Sequence, residues 1–455
     1  MRRSSQSRHT ASDQGGEVTL TIEKLTAGGN GLGRVDGKVC FVPFTAPGDR
    51  VRARITANKS SYLQAELLDL ITPAPERSLP PCPIFGSCGG CQWQHLPYEL
   101  QLQAKGEIFR ETVGRMARVP AERISPVAPS PNPFAYRGRV QLKLRFVEGE
   151  LLIGFYRGAS HWVVPLPGRC AIANDTINSI IATLVAHAPH MPSPEQVPQI
   201  DLAVGDDGDA TIILHHLGER GEEFAQFLTS LPGLPEGCGL YLQSGRKESL
   251  QYLSGTNCLT YAVTATPLHP PLTLAFSGGG FSQVNYPQNR QLIKLVEECA
   301  ALTGQERLLD LYCGNGNFTI PLAAAAVDVV AIESYAPSLA DGRENARTNN
   351  RTNIEFLCRD AARGVQEQIA AGQRFDVVVL DPPRSGAAEV AHLLAELLPE
   401  RIIYVSCDPA TLGRDLATLR RSGYGVIKSV PVDMFPQTSH LESVTLLMRE
   451  QNDTV

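Results

Sequence analysis

The sequence predicts an α/β protein with a nucleotide-type parallel sheet in its C-terminal part and a small β-barrel in its N-terminal part. From about residue 274 onward, apolar runs alternate with helix-like segments, and one run leads into a Gly-rich turn. Short apolar runs separated by turns fill residues 17–71. A lone cysteine, Cys407, follows the apolar run 401–405, where a buried strand should end. Because such sheets carry their chemistry at strand ends, Cys407 is a candidate nucleophile.

Length and composition restrict the class of protein. A chain of 455 residues is too long for one ordinary core and suits several domains. With 43% hydrophobic and 19% charged residues, the composition is that of a globular protein. Residues 1–16 are polar and lack the apolar core of a signal peptide, and no run approaches the roughly eighteen apolar residues of a membrane span. We therefore expect a cytoplasmic protein with no membrane partner, in which thiols stay reduced.

The N-terminal barrel is predicted from apolar runs at residues 18–22, 38–42, 50–55 and 65–68. Its Gly29-x-Gly31-x-Gly33 pattern mimics a dinucleotide-binding fingerprint, but a second turn signal follows and no helix opens there. The segment resembles a TRAM domain, an OB-like RNA-binding module, in its Gly-Gly-x-Gly-Leu-Gly-Arg run and its Pro47-Gly48-Asp49 turn. The Pro-rich residues 72–83 are interpreted as a linker.

Charge is unevenly distributed along the chain. A net charge of -6 argues against a protein that coats nucleic acid indiscriminately. Two stretches are nevertheless basic, and the second is interleaved with aromatic residues, which single-stranded RNA uses as stacking partners. A solvated strand face over a core explains either stretch alone equally well. The basic residues are Lys24, Arg34, Lys38, Arg50, Arg52, Arg54 and Lys59, then Arg137, Arg139, Lys143, Arg145 and Arg157, the last five beside Phe134, Tyr136, Phe146, Phe155 and Tyr156.

Three of the eleven cysteines crowd into one Gly-rich loop, Cys82-x5-Cys88-Gly89-Gly90-Cys91. This spacing is typical of a metal site rather than a disulfide framework. Cys170, in another turn-rich segment, is the candidate fourth ligand. The spacing differs from that of radical enzymes, which leave one iron open, so a closed four-cysteine site is predicted. Four thiolates suit zinc as well as an iron–sulfur cluster, and the spacing does not separate the two.

The Gly-rich turn between Asp310 and Asn317 follows a predicted strand at 308–312 and precedes a predicted helix at 318–326. A second strand, 329–332, ends at Glu333, about twenty residues beyond the turn, where an acid binds ribose hydroxyls. A third, 354–357, is followed by Asp360, where an adenine edge is expected. The turn lacks the full pyrophosphate fingerprint, which favours S-adenosylmethionine over NAD. Such turns also occur as packing devices.

Together these motifs resemble the RNA uracil-5 methyltransferases, in particular their iron–sulfur subgroup with an N-terminal TRAM domain. The resemblance covers nearly the whole chain. Its most specific marks are Phe281-Ser282-Gln283-Val284-Asn285, the turn 310–317, Asp381-Pro382-Pro383-Arg384, Ser406-Cys407-Asp408-Pro409 and the run 435–442.

The resemblance implies a role for each matching residue. It implies S-adenosylmethionine as cofactor, a [4Fe-4S] cluster, Cys407 as nucleophile and Glu442 as base. Large-subunit (23S) ribosomal RNA is the usual target of family members with this barrel and cluster, and transfer RNA is also used. We expect a monomer that binds structured RNA. The implied cofactor contacts are Gln283, Tyr312, Asn317, Glu333, Asp360 and Asp381, and the implied cluster ligands are Cys82, Cys88, Cys91 and Cys170.

The chemistry explains these residue types. Uracil C5 is too weak a nucleophile to attack a methyl sulfonium, but a thiolate that adds to C6 places electron density on C5. Cys407 would supply the thiolate if cationic or dipolar surroundings lower its pKa. Glu442 would then remove the C5 proton, from the start of a strand expected near the centre of the sheet. The alternatives are a buried, inert cysteine and a solvated carboxylate.

Three other functions remain open. Asp-Pro-Pro-Arg resembles the motif of amino-group methyltransferases, but those need an aromatic residue where Arg384 stands. Cytosine-5 methylation uses the same thiolate chemistry. A non-catalytic RNA-binding or iron–sulfur protein could use the methyltransferase-like domain as a scaffold.

The predicted organisation has four parts. Residues 1–16 are a disordered tail, and residues 17–74 are the TRAM barrel. Residues 75–270 are a central α+β domain that carries the iron–sulfur site and contacts RNA. Residues 271–455 are a class I (Rossmann-like) S-adenosylmethionine methyltransferase domain.

Overall fold

The computed structural model describes residues 15–246 and 249–450. The predicted tail therefore lies almost entirely outside the described residues. The chain divides into two compact units. The first comprises the described residues up to Ile108 together with Phe435–Ser439, and the second comprises Phe109–Met434 and the described residues from His440 onward. Among the described residues, no helix combines the length and apolarity needed to cross a membrane.

The first unit contains a closed five-stranded barrel in the order β1-β2-β3-β5-β4. Its strands alternate buried and exposed residues, so that one face of each lines the barrel core. The core includes Ile22, Cys40, Val51 and Leu63. The strands are β1 (Glu17–Leu25), β2 (Gly31–Val35), β3 (Lys38–Val42), β4 (Arg50–Asn58) and β5 (Tyr62–Thr72).

Strand β2 was not among the predicted apolar runs, because its glycines resemble a turn. Both glycines are needed where β2 packs against its neighbours. A Cβ on Gly31 would lie 2.1 Å from Thr45 Oγ1, and one on Gly33 would lie 2.4 Å from the carbonyl oxygen of Thr21. The Gly-x-Gly pattern thus serves close strand packing, and the rejection of a dinucleotide site agrees with the fold.

The second unit contains a seven-stranded central sheet in the order β12-β11-β10-β9-β6-β7-β8, and a two-stranded sheet, β13-β14. Helices α2 and α3 pack on one face of the central sheet, where His216 meets Phe224 at 5.3 Å between ring centroids. The strands are β6 (Arg139–Val147), β7 (Glu150–Tyr156), β8 (Val163–Pro165), β9 (Gln199–Val204), β10 (Ala210–His216), β11 (Gly239–Ser244), β12 (Leu250–Ser254), β13 (Cys258–Val263) and β14 (Leu272–Ser277). The helices along the chain to this point are α1 (Tyr98–Ala117), α2 (Asp175–His187) and α3 (Gly221–Ser230).

The C-terminal sheet has the order β17-β16-β15-β18-β19-β21-β20. The first five are parallel, and β21 runs antiparallel to β19. The chain leaves β15 toward one edge and returns on the other side of it at β18, which creates a topological switch point. The strands are β15 (Arg307–Leu311), β16 (Asp328–Glu333), β17 (Ile354–Cys358), β18 (Val377–Leu380), β19 (Arg401–Ser406), β20 (Tyr424–Val432) and β21 (Glu442–Arg449). The helices are α4 (Tyr286–Ala300), α5 (Thr319–Leu322), α6 (Ala336–Thr348), α7 (Ala361–Ala370), α8 (Ala388–Leu397) and α9 (Pro409–Arg421).

This architecture confirms the predicted fold class of a Rossmann-like sheet and an N-terminal barrel, but two local predictions need correction. The helix expected over 318–326 is only one turn of α-helix, because Ala324 N donates to Pro321 O and Ala325 N to Leu322 O, a tighter spacing. Strand β21 lies next to the edge strand β20 rather than at the centre of the sheet. It is still buried along most of its length.

Candidate active site

The carboxyl ends of three parallel strands meet at one edge of the C-terminal sheet. Leu311 pairs with Leu380, and Leu380 pairs with Tyr404, so β15 and β18 end at the same level and β19 continues two residues further, to Ser406. Asp381 N donates to Leu311 O at 3.3 Å. Because β21 is antiparallel to β19, it begins at the edge where the others end. The residues that follow β15, β18 and β19 therefore share this edge with Glu442.

Cys407 and Glu442 are neighbours because of the register between β19 and β21. Ser406 and Ser443 form the last pair of that register, so Cys407 and Glu442 both lie at this end of the two strands, and Glu442 is close enough to raise the pKa of the Cys407 thiol. Glu442 is buried and Cys407 is half-buried. Helix α9 begins at Pro409, two residues after Cys407, and the Asp408 side chain caps it by accepting from Ala410 N and Thr411 N. The structure thus brings the predicted nucleophile and base together.

Burial and nearby carboxylates raise the pKa of both groups. The pKa of the Cys407 thiol is raised to about 12, first by burial and then by Glu442 and Asp381, while Arg384 lowers it. Burial and then Asp381 raise the pKa of Glu442 well above its ordinary value, and Arg384 again opposes the shift. Burial raises the pKa of Asp381 to about 7. The condition set by the sequence, a thiol pKa lowered by cationic surroundings, is therefore not met by the described residues.

The Gly-rich turn after β15 is shaped by backbone that glycine tolerates and other residues rarely adopt. Tyr312 has φ of 62°, Gly314 of 55° and Gly316 of 88°. A Cβ on Gly316 would lie 2.8 Å from the side chain of Ile320. Tyr312, a predicted cofactor contact, is half-buried at the strand end. The turn therefore needs these glycines for its own path and its packing.

Glu333 lies at the end of β16 beside this turn. Its carboxylate accepts from Gly314 N at 3.2 Å and from Tyr335 N at 2.7 Å. These bonds fix the carboxylate between the Gly-rich turn and the start of α6, at the edge that carries Cys407. An acid held in this position suits the hydroxyls of a ribose. The residues present thus fit the nucleoside part of S-adenosylmethionine.

The side chain of Asn317 is engaged by other residues of the protein. Its amide forms a reciprocal pair with Asn289, in which each Nδ2 donates to the other Oδ1 at 2.8 and 3.0 Å. Tyr261 Oη donates to the same Oδ1 of Asn317 at 3.1 Å. These contacts join α4 and β13 to the cofactor turn. Asn289 and Tyr261 carried no recognisable sequence signal, since both lie in other elements.

Asp360 and Gln283 occupy different surroundings. Asp360 is exposed and caps α7, because its Oδ1 accepts from Ala362 N and Arg363 N at 3.0 and 3.2 Å. Gln283 is half-buried in the segment between β14 and α4. Asp360 thus has a structural task at the position predicted for an adenine contact.

Asp310 is a buried acid to which the sequence assigned no role beyond marking the turn. It is 1% exposed, and its Oδ2 accepts from Thr319 Oγ1. Within the part of the chain that the structure describes, its Oδ1 has no hydrogen-bond partner. Burial, and then Asp381 and Glu333, raise the pKa of Asp310 to about 7. The acids of the site therefore interact with one another, which the sequence motifs, taken one at a time, do not reveal.

Comparison with known proteins agrees with this geometry. The family model described as tRNA (Uracil-5-)-methyltransferase matches residues 271–450, and the TRAM domain model matches residues 11–68. A protein of Alkalilimnicola ehrlichii named 23S rRNA (uracil(1939)-C(5))-methyltransferase RlmD is 37% identical over 95% of this chain and 97% of its own length. The chain belongs to the RNA (uracil-5-)-methyltransferase family. It is thus an S-adenosylmethionine-dependent enzyme of this class.

A further relative supports the same assignment, and a solved structure has the same fold. An uncharacterized RNA methyltransferase of Thermosynechococcus vestitus is 34% identical over 95% of the chain and 98% of that protein. The crystal structure of the Pyrococcus abyssi tRNA (uracil-54, C5)-methyltransferase with S-adenosyl-L-homocysteine superposes with a TM-score of 0.72 and 24% identity, and covers 95% of this chain and 100% of that one. This likeness shows that the fold is shared.

The predicted cluster ligands of this methyltransferase lie in both units. Cys82, Cys88 and Cys91 belong to a loop of tight turns in the first unit, in which Gly90 N donates to Cys88 Sγ at 3.4 Å. Cys170 belongs to the second unit, where its backbone N and O both bond the Asn178 side chain. Across residues 15–246 and 249–450, no three or more His, Cys, Asp or Glu side chains form a group that could hold a metal. The iron–sulfur prediction thus gains no support and stays a prediction.

Only some side chains of the two basic stretches are free to contact RNA as predicted. On the barrel, Arg52 forms ion pairs with Glu17 and Asp69. In the second basic stretch Tyr136 is buried, which makes it a core residue, whereas Phe146 and Tyr156 are exposed. The predicted pattern of exposed rings beside cations is therefore present in only part of the second stretch.

Proposed function

We propose that this enzyme transfers a methyl group from S-adenosylmethionine to C5 of a uridine in structured RNA through a covalent bond between Cys407 and C6. The proposal is supported by the β19–β21 register, which brings Cys407 and Glu442 to the same end of the two strands, where Glu442 raises the thiol pKa. It provides a nucleophile and a base on one side of a small site, at the sheet edge that also holds the Gly-rich turn and Glu333. Amino-group transfer would have no use for this pair.

Cys407 begins the reaction by adding to C6 of the uracil ring. Because the raised pKa leaves the thiol protonated in the free protein, Cys407 must first lose its proton to solvent. The new S–C6 bond converts the ring to an enolate whose electron pair is centred on C5. When bound, S-adenosylmethionine would supply the methyl group: the methyl carbon would accept this pair from C5, and its bond to the sulfonium would break to leave S-adenosylhomocysteine.

Glu442 completes the reaction by removing the proton that C5 still carries. The electrons of the C5–H bond restore the C5–C6 double bond, and the S–C6 bond breaks to regenerate the thiolate of Cys407. Burial raises the pKa of Glu442, so its carboxylate is a stronger base than an exposed one. Gln283, Tyr312, Asn317, Glu333, Asp360 and Asp381 are proposed as the cofactor contacts.

The proposed target is 23S ribosomal RNA, because a relative that matches 95% of the chain carries that name. Transfer RNA is the alternative, and it is the substrate named for the structural neighbour from Pyrococcus abyssi. A half-buried cysteine reaches C6 only if the uridine leaves its stack, so a loop or bulge is expected. A monomer in the cytoplasm remains the predicted state.

The cluster and the domain boundaries are separate proposals. We keep Cys82, Cys88, Cys91 and Cys170 as ligands of a [4Fe-4S] cluster with a structural or RNA-contacting role, because no step above moves an electron. Anaerobically purified protein should contain about four iron atoms and four sulfides per chain, and Cys170→Ser should lose them. Bound zinc, or no metal at all, would refute the proposal. The boundaries at residues 16, 74 and 270 are testable by limited proteolysis.

The deciding experiment measures methyl transfer from labelled S-adenosylmethionine to ribosomal and transfer RNA from cells that lack this gene. Label should appear in 5-methyluridine with the wild type, and none should appear with Cys407→Ala. The exposed thiol of Cys358 provides the matched control, since Cys358→Ala should retain full activity. Glu442→Gln should accumulate an RNA adduct that survives denaturing electrophoresis.

Three results would contradict the proposal. Label in 5-methylcytidine would indicate the cytosine reaction, and label in an N-methylated base would indicate the amino-group reaction. Transfer that survives Cys407→Ala would exclude the covalent mechanism. RNA binding without any transfer from the intact protein would support the non-catalytic alternative.

A further inference from the structure

The central sheet has one face that α2 and α3 do not cover. Val140, Leu142 and Leu144 point to the covered face and are buried. The alternate residues of β6, which are Arg139, Gln141, Lys143 and Arg145, lie on the opposite face. In the sheet register Gln141 pairs with Asp201, and Lys143 pairs with Gln199 and Gly154, so this face continues over β9 and β7.

Two aromatic side chains lie beside the cations at one end of this face. Trp162 is 43% exposed and Tyr156 is 37% exposed. The Arg145 guanidinium lies 4.8 Å from the centre of the Trp162 ring, and Lys143 Nζ lies 5.4 Å from that of Tyr156. We call these four residues the stacking platform. Trp162 lies outside the basic stretch singled out in the sequence, which ended at Arg157.

The connection between β7 and β8 holds Trp162 in place. Arg157 N donates to Trp162 O at 2.9 Å, and Trp162 N donates to Ser160 Oγ at 3.0 Å. The ring of Tyr156 meets His161 edge-on at 5.4 Å between centroids. Exposed rings on an ordered turn lose little conformational freedom when they bind a flat partner.

Positive charge on this face is balanced only in part. The Asp201 carboxylate lies 3.2 Å from His215 Nε2 and accepts from Gln199 at 2.6 Å. Its charge also acts on Lys143, so that lysine is partly balanced, whereas Arg145 is exposed beside Trp162. An exposed Arg145 and a half-buried Lys143 beside exposed rings favour a polyanion that carries flat groups, which is a single-stranded nucleic acid.

The same strand leads from the platform to the predicted cofactor segment. At its other end Arg139 and Gln141 line a cavity of about 330 Å³ together with Phe281 and Tyr335. Phe281 is two residues from Gln283, and Tyr335 N binds Glu333. Since a strand advances about 3.4 Å per residue, Arg139 and Arg145 are roughly 20 Å apart. A short RNA segment could follow this row.

We propose that the platform binds a single-stranded segment flanking the target uridine, with one base stacked on Trp162 and with Lys143 and Arg145 beside its phosphates. This inference rests on the proposed function, since it takes RNA as the partner. According to this inference, the face binds nucleotides other than the one that is methylated. It also adds Trp162 to the residues that position the substrate.

The fluorescence of Trp162 provides a direct test. The chain has two tryptophans, and the other, Trp93, is fully buried. Stacking with a base should quench Trp162 when a single-stranded RNA oligonucleotide of about ten residues, or a ribosomal RNA fragment, is titrated into the full-length protein without S-adenosylmethionine. Trp162→Phe should lose the quenching and keep most of the affinity, and Trp162→Ala should bind roughly tenfold more weakly.

Two further variants separate stacking from charge and from general damage. Arg145→Gln should reduce the slope of log affinity against log salt by about 0.7, as expected for one lost contact to a single strand. Trp162→Ala should leave that slope unchanged. Tyr252→Ala removes an exposed ring from the far edge of the same sheet, and it should bind RNA like the wild type.

The inference is overturned if RNA binds without quenching Trp162 and Trp162→Ala keeps wild-type affinity. A loss of affinity that Tyr252→Ala shares would also overturn it, because the effect would not be local. These outcomes are independent of methyl transfer. Quenching without methyl transfer to uridine would support the platform and contradict the proposed reaction. Methyl transfer to uridine without quenching would support the reaction and contradict the platform.

Discussion

Alkylation of Cys407 by iodoacetamide should be slow at neutral pH and should accelerate steeply as the pH rises. The reactive species is the thiolate, and burial, Glu442 and Asp381 raise the pKa of this thiol to about 12. At pH 8 the thiolate fraction is then about 10⁻⁴, against about one quarter for an exposed cysteine with a pKa near 8.5.

The expected rate follows from these fractions. Nucleophilicity rises with pKa at a Brønsted slope of about 0.4–0.5, which recovers about 30- to 60-fold. Cys407 should therefore react about 50- to 100-fold more slowly than an exposed thiol at pH 8. The exposed Cys358 provides the reference within the same chain. Alkylation of both residues can be followed by peptide mass spectrometry between pH 7 and pH 10.

The pH slope separates charge from steric hindrance. Hindered access would slow Cys407 equally at every pH, whereas a high pKa makes its rate rise about tenfold per pH unit over this range. Glu442→Gln removes one cause of the raised pKa and should speed alkylation several-fold near pH 9, while Glu396→Gln, on the exposed side of α8, should not. Alkylation of Cys407 as fast as that of Cys358 at pH 7, with a plateau below pH 9, would refute this reasoning.

Three further predictions concern the acids of the site. Glu333→Ala should weaken S-adenosylhomocysteine binding about 10- to 150-fold by calorimetry, the range for a lost hydrogen bond to a charged group; unchanged affinity would exclude a ribose contact. Asp360→Ala should cost about 1 kcal/mol of stability through the lost cap, whereas Asp360→Ser should retain the cap; full cofactor affinity in the serine variant would mean that Asp360 only caps α7. The pKa of Asp310 is about 7 in the folded protein and near 3.9 unfolded, so the native state binds this proton more tightly. The unfolding free energy should thus fall by up to about 4 kcal/mol as the pH rises from about 4 through 7. Asp310→Asn should lack this contribution to the pH dependence. Urea unfolding that gives the wild type and Asp310→Asn the same pH dependence of the unfolding free energy would contradict the prediction.

Several elements were predictable from local pattern. The apolar runs that became β15, β16, β18 and β19 are nearly continuous, because both faces of a parallel sheet are covered. Strand β2 was not predicted, because its glycines look like turn residues. Gly31 and Gly33 are required by close contacts with Thr45 and Thr21, which lie elsewhere in the sequence. The helix predicted after the turn spans only Thr319–Leu322 in the structure, because tighter hydrogen bonds replace the α-helical ones beyond it. The composition of the segment does not reveal this change.

The sequence by itself determined the family, the sheet class and the strand ends that carry Cys407, Glu333 and Asp381, because these depend on residue type and spacing along the chain. Only the tertiary structure decided what surrounds each of them. The register of β19 and β21 brings Glu442 to the same strand end as Cys407, which is 35 residues away in sequence, and burial at that end raises the thiol pKa instead of lowering it. Electrostatic shifts and stacking surfaces depend on distances between elements, which periodicity along one chain does not contain.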